Sequence, residues 1–195
     1  MSERLADTAP PARRLPGEQG TWVFLLGDML VFGVFFATFM VERAMEPTQF
    51  DTARRSLYTG IGFTNTLVLL SSSLLVVLAI SALRHGLTKP ARACTLGAMC
   101  CGMLFVALKA AEYWSMVAAG HGAGAGTFYL YYFSLTGLHL LHVVIGLAAL
   151  AFLLSQVRRP ELSPTRAAVI EGAACFWHLV DLLWVVLFPL LYLVS

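Results

Sequence analysis

Charge is what this sequence has least of. Lysine, arginine, aspartate and glutamate together make up 12% of its 195 residues, about half the share of an ordinary soluble domain. Hydrophobic residues reach 58%, and the mean hydropathy is +0.76. That balance excludes a soluble globular domain before any segment is read. The net charge of +2 is too small and too scattered for a nucleic-acid partner. Catalytic signatures are missing as well: there is no Gly-rich phosphate loop, nucleophile elbow, zinc signature or CxxCH haem-attachment string. The four cysteines, Cys94, Cys100, Cys101 and Cys175, form no CxxC and lie in or beside apolar runs. They read as small packing residues. The first 19 residues are polar and proline-rich, without the apolar core of a cleavable signal peptide.

What is present is a set of long apolar runs. A spanning helix needs roughly 20 mostly apolar residues. Five segments qualify: Gly20–Val41, Thr59–Leu83, Ala93–Val117, Phe128–Gln156 and Ala167–Val194. The links between them are short and begin at Ala44, Gly86, Gly120 and Arg158. The expected fold is all-α: a polytopic membrane protein in which residues 20–195 form one bundle of five transmembrane helices. Residues 1–19 form a cytoplasmic N-terminal tail.

Loop charges predict the direction. The N-terminal tail and the second and fourth links carry Arg4, Arg13, Arg14, Arg84, Lys89, Arg92, Arg158, Arg159 and Arg166, nine cations in all. The first and third links and the C-terminus carry three, Arg43, Arg54 and Arg55. Nine against three puts the N-terminus inside and the C-terminus outside. Tyr113, Trp114, Tyr129, Tyr131, Tyr132 and Tyr192 then crowd the outer ends, where amphipathic rings favour the headgroup level. Trp22 falls at the inner interface.

At about 100° per residue, polar and small residues fall on one stripe of each helix. The second span has Asn65, Leu69, Ser72, Val76 and Ala79, and the third has Ala98, Gly102, Phe105, Lys109 and Glu112. The fourth has His139, His142, Gly146 and Ala149, and the fifth has Glu171, Ala174, Cys175, His178, Asp181 and Val185. Such stripes mark close helix packing in membranes. Ionisable groups at this depth are costly and face protein or water. His139, His142, His178 and Asp181 count to near midplane, and these four are expected to pair across the fourth and fifth helices. Lys109 and Glu112 lie one turn apart in the outer third and suit a direct ion pair. Asp28 and Glu171 lie toward the inner side, and Asp28 is expected to meet lipid, another subunit or a packing partner. His121 reads as a solvated loop residue.

The HxxH and HxxD pairs are open to three readings: a structural polar network, a proton or ion pathway, or a metal site. Their spacing is common and favours the first. No catalytic residue and no metal ligand set is assigned.

The ordered strings Thr64-Asn-Thr66, Glu112-Tyr113, Thr136-Gly-Leu-His139-Leu-Leu-His142-Val-Val-Ile-Gly146, Glu171 and Trp177-His178-Leu-Val-Asp181-Leu-Leu-Trp184 resemble subunit III of the haem–copper respiratory oxidases, the cytochrome c oxidase subunit III family. The resemblance covers all five spans. The opening Leu15-Pro-Gly-Glu-Gln-Gly-Thr-Trp22, Lys109 before Glu112-Tyr113, and Phe128-Tyr-Leu-Tyr-Tyr-Phe-Ser-Leu-Thr-Gly137 look most like the nitric-oxide-reductase-associated, NorE-type branch. Typical cytochrome c oxidase members carry two further N-terminal helices that form a lipid-filled cleft, so the five spans here match the shorter form.

The resemblance implies a non-catalytic accessory subunit of a haem–copper oxidase or nitric oxide reductase, multi-pass in the bacterial inner membrane. It implies no haem or copper of its own, a catalytic haem-containing membrane subunit as partner (with copper or iron there), and bound phospholipid. In the family this subunit supports active-site stability and sustained proton uptake. The family's acidic residue falls on Asp28, an Asp in place of the usual Glu. Its polar network falls on Glu112, His139, His142, Glu171, His178 and Asp181. Lys109 stands where typical members carry a neutral Gln. The alternatives are a small stand-alone ion or proton transporter using the midplane His/Asp groups, and an intramembrane metalloenzyme. The sequence has no inverted repeat or interrupted helix to favour the transporter.

Overall fold

The computed structural model describes residues 19–157 and 164–194. Residues 1–18, most of the expected N-terminal tail, and Arg158 and Arg159 lie outside the described residues. The described chain is helical: α1 Gln19–Met45, α2 Pro47–Arg54, α3 Thr59–Arg84, α4 Thr88–Ala118, α5 Thr127–Val157 and α6 Pro164–Phe188, followed by a π-helical turn over Pro189–Leu193. Among the described residues, five helices are long and apolar enough to cross a membrane.

Helices α3, α4, α5 and α6 form a ring of antiparallel neighbours, α3 beside α4, α4 beside α5, α5 beside α6 and α6 beside α3. Helix α1 lies against the α5–α6 side. The stripes expected on α3 and α4 are buried: Asn65, Leu69, Ser72, Val76 and Ala79 on one, Ala98, Gly102, Phe105, Lys109 and Glu112 on the other. Leucine, valine, phenylalanine and methionine cover the outside, as at Leu67, Leu74, Phe63, Met103 and Val144. Helices α3 and α4 end on Gly86 (φ 71°) and Gly120 (φ 82°). There Leu87 N–H reaches Ala82 C=O and His121 N–H reaches Met116 C=O, both at 2.9 Å. These left-handed caps satisfy the last carbonyls and end each helix abruptly.

Two local expectations change. The link after the first span is not a simple turn: it folds into α2, with Pro47 in its first turn, where the missing N–H costs nothing. Phe50 anchors α2, edge-on to Phe39 of α1 and Phe128 of α5. The last span is not one uniform α-helix either. Pro189 has no N–H to donate and its ring crowds the carbonyl four residues back, and the chain passes into the π turn at that residue. Tyr129, Tyr132 and Tyr192, near the helix ends, are buried against neighbouring segments of the chain. The Tyr132 and Tyr192 hydroxyls have partners inside the bundle, and the Tyr129 hydroxyl meets Ser56 in the link between α2 and α3. Of the aromatic residues expected at the outer ends, Trp114 alone is strongly exposed, at 80%.

A polar network inside the bundle

The largest polar cluster lies near the end of the bundle that carries α2. Lys109 and Glu112 share one face of α4 because i and i+3 side chains stack on a helix. Lys109 Nζ donates to Glu112 Oε2 at 2.8 Å, to the Tyr132 hydroxyl at 2.9 Å and to the Tyr192 hydroxyl at 2.8 Å. The Tyr192 hydroxyl in turn donates to Glu112 Oε1 at 2.7 Å. Three ammonium protons thus have three acceptors, which satisfies a buried lysine fully. Around it stand the rings of Tyr132, Trp184, Tyr192 and Tyr113, their centroids 4.8, 5.0, 5.4 and 5.7 Å from Nζ. A desolvated ammonium gains roughly 2 kcal/mol from such a ring face.

The π turn positions Tyr192 here, and Arg54 of α2 holds its carbonyl at 3.1 Å. On the other flank the Tyr113 hydroxyl meets Thr136 Oγ1 at 2.5 Å, and Thr136 bonds back to the Tyr132 carbonyl. The cluster therefore joins α4, α5 and the end of α6. Tyr132 and Tyr192 were not assigned to it from the sequence. Their signal was the run of tyrosines itself, which reads equally well as an interfacial belt.

The four groups expected at midplane do not form one cluster. His142 turns toward α1: its Nε2 lies 3.0 Å from Asp28 Oδ1, and its Nδ1 lies 2.7 Å from the Leu138 carbonyl. A carbonyl only accepts, so Nδ1 carries a proton. The Nε2–Oδ1 contact then needs a second proton, held either by the imidazole or by the carboxyl. In both forms the pair has no net charge. Asp28 thus meets a histidine of its own chain, the packing partner that was one of the expectations for it. An uncompensated carboxylate is too costly to leave against hydrocarbon.

His139 is fully buried, with both ring nitrogens unpartnered among the described residues. It packs edge-on to Phe105 at 5.6 Å and tilted to Trp184 at 5.2 Å. His178 points away from α5, and its Nδ1 lies 2.7 Å from Ser73 Oγ on α3. Asp181 lies beside Ser73, whose hydroxyl His178 already engages. Both Asp181 oxygens are buried, with Ser73 as the neighbouring hydroxyl. Glu171 sits at the far end of the same seam, 2.6 Å from Arg84 of α3.

Two tryptophans explain why the midplane pairing fails. Helix α6 buries Trp177 and Trp184 on its inner side, and it is Trp184, not His178, that meets His139. Trp177 lies against Gly102 of α4 and Gly146 of α5, where an added Cβ would stand 2.8 and 2.6 Å from its ring. Its Nε1 donates to Ser72 Oγ at 3.1 Å, and Ser72 donates to the Ala98 carbonyl at 3.0 Å. Trp184 Nε1 donates to Thr66 Oγ1 at 3.1 Å. Ser72, Ser73 and Thr66 are thus the α3 side of the α3–α6 seam.

The chemistry of this arrangement is cohesion. Lys109, Asp28, His142, Glu171 and His178 each reach a group on another helix, while His139 and Asp181 are packed inside the bundle. Among the described residues, no three His, Cys, Asp or Glu side chains converge as they would around a metal ion.

Known proteins have the same sequence pattern. The profile of the family described as cytochrome c oxidase subunit III matches residues 16–195. Cytochrome c oxidase subunit 3 of Alkalihalophilus pseudofirmus is 32% identical over 180 residues, which cover 90% of this chain and 85% of that protein. Cytochrome bo(3) ubiquinol oxidase subunit 3 of Pseudomonas putida is 28% identical, over 90% of this chain and 84% of that protein. Heme-copper oxidase subunit I+III of Aeropyrum pernix is 28% identical over 89% of this chain, aligned to 22% of that longer protein. Five membrane-length helices, the buried polar stripes on α3 and α4, and a family match across nearly the whole sequence agree: this multi-pass membrane protein belongs to the cytochrome c oxidase subunit III family.

Proposed function

We propose that the chain is the redox-inactive accessory subunit of a membrane-bound haem–copper oxidase or nitric oxide reductase. It packs against the catalytic subunit, which holds the haem and the copper or iron, and stabilises it along with its proton-entry region during electron transport. The observation that carries this reading is the use made of the ionisable groups. Lys109 and Glu112 are enclosed by three tyrosines and a tryptophan, and His142 is held by Asp28. Groups spent on joining helices suit a scaffold rather than a pathway that must open and close. The name of the Aeropyrum relative, subunit I+III, supports adjacency of the two subunits.

Bound phospholipid is part of the proposal. A groove of about 480 Å³ between α1, α5 and α6 is lined by Phe24, Ile145, Ala149, Phe152, Val169 and Phe176 among others, a surface suited to an acyl chain. The nitric-oxide-reductase-associated branch is the narrower assignment, resting on Lys109 and the Leu15–Trp22 opening.

The test is isolation of the tagged chain from its native membranes under mild detergent. A haem-containing membrane subunit should come with it, and the complex should reduce nitric oxide if the branch is assigned correctly. The chain stripped of partners should show no haem absorption. A partner-free chain carrying one stoichiometric transition metal would overturn the proposal.

A further inference from the structure

The polar stripe of α6 is the one that the chain leaves partly uncovered. Glu171, Cys175 and His178 are half-buried, and Val185 is 39% exposed. Beside them Leu182 is 50% exposed and Leu70 of α3 is 48% exposed. By contrast, the polar positions on the α3 and α4 stripes are buried. Helix α1 covers a different side of α6, where Phe24 meets Phe176 and Thr21 meets Gly172. Helix α3 covers the Ser73 side. Between α1 and α3 the outer face of α6 stands open.

Hydrocarbon is a poor occupant for this face. It has a half-buried imidazole at its middle and, behind that, a carboxyl group 96% buried that shares its neighbouring hydroxyl, Ser73, with His178. Polar groups at this depth face protein or water and pair there, and interhelical contacts in membranes favour such polar and small residues. Resting on the accessory-subunit reading above, we propose that this face of α6 and α3, centred on His178 and Ser73, receives a transmembrane helix of the catalytic subunit. That helix carries a hydrogen-bonding side chain at the depth of His178. The Arg84–Glu171 pair, with Arg84 largely exposed, forms the charged rim at one end of the contact.

The test uses the complex in its native membranes. A photoreactive p-benzoylphenylalanine is placed at Leu182, at Leu70 or, on the diagonally opposite helix, at Met103, which is 63% exposed. Leu182 and Leu70 should crosslink to the catalytic subunit, and Met103 should not. Leu182→Trp should lower co-purification of the catalytic subunit about tenfold, the scale of a central interface contact. Met103→Trp should leave it unchanged. Crosslinks from Met103 alone, or from Leu182 only to a second copy of this chain, would overturn the assigned face. Absence of any catalytic subunit beside the unmodified chain would instead overturn the reading beneath it.

Discussion

Lys109 is the residue with the most at stake. Its ammonium is fully buried and its one negative partner is Glu112. Removing that partner leaves an uncompensated charge in a low-dielectric site, which costs about 3–5 kcal/mol where such pairs have been broken in soluble proteins. Glu112→Gln should therefore lower the thermal midpoint of the purified complex by several degrees. The double change Lys109→Met with Glu112→Leu should recover most of the loss, because an apolar pair of similar volume is often neutral. A double variant no more stable than Glu112→Gln would show that the four surrounding rings need the cation itself. The sequence was informative here up to a point. Spacing of three on a helix is enough to suggest the ion pair. The hydroxyls of Tyr132 and Tyr192 arrive from 23 and 83 residues away, and no local pattern encodes such a meeting.

At the scale of elements, the bundle is organised by size as much as by polarity. Trp177 occupies a slot that only glycine opens, between Gly102 and Gly146. Gly146→Ala puts a Cβ 2.6 Å from the indole, well inside van der Waals contact, and overpacking of this kind costs typically 1–3 kcal/mol. Thermal unfolding in detergent should register the loss, and Trp177→Phe in the same chain should restore part of it. Additive losses in the double variant would show that the glycine serves some other neighbour. The same slot accounts for the misplaced midplane cluster. Periodicity correctly puts His178 and Asp181 on one face of α6, and His139 and His142 on one face of α5. It does not tell which face turns inward. On α6 the large apolar area of two tryptophans outweighs the polar stripe, because burying apolar surface and filling a void both favour the indoles.

At the scale of the whole molecule, the expected orientation follows from charge alone. With nine loop cations against three, the α3–α4 link should lie in the cytoplasm and the α4–α5 link outside. A cysteine introduced at Thr88 should be shielded from a membrane-impermeant thiol reagent in sealed spheroplasts, and one at Ala123 should react. Labelling at Thr88 but not at Ala123 would reverse the topology.

Composition and hydropathy were sufficient to establish a five-span helical membrane protein, because a bilayer demands internally hydrogen-bonded segments of a set length. Ordered strings such as Trp177-His178-Leu-Val-Asp181 were sufficient for the family. Periodicity identified the packed stripes of α3 and α4, where each stripe has no competing face. Partner choice was decided only in three dimensions. Asp28 meets His142 across 114 positions of sequence, by the difference of their numbers, and His178 meets Ser73 across 105. The short α2 and the π turn at Pro189 likewise depend on what they pack against. A helix's own sequence sets which side chains share a face; the volumes of all the other helices decide what that face meets.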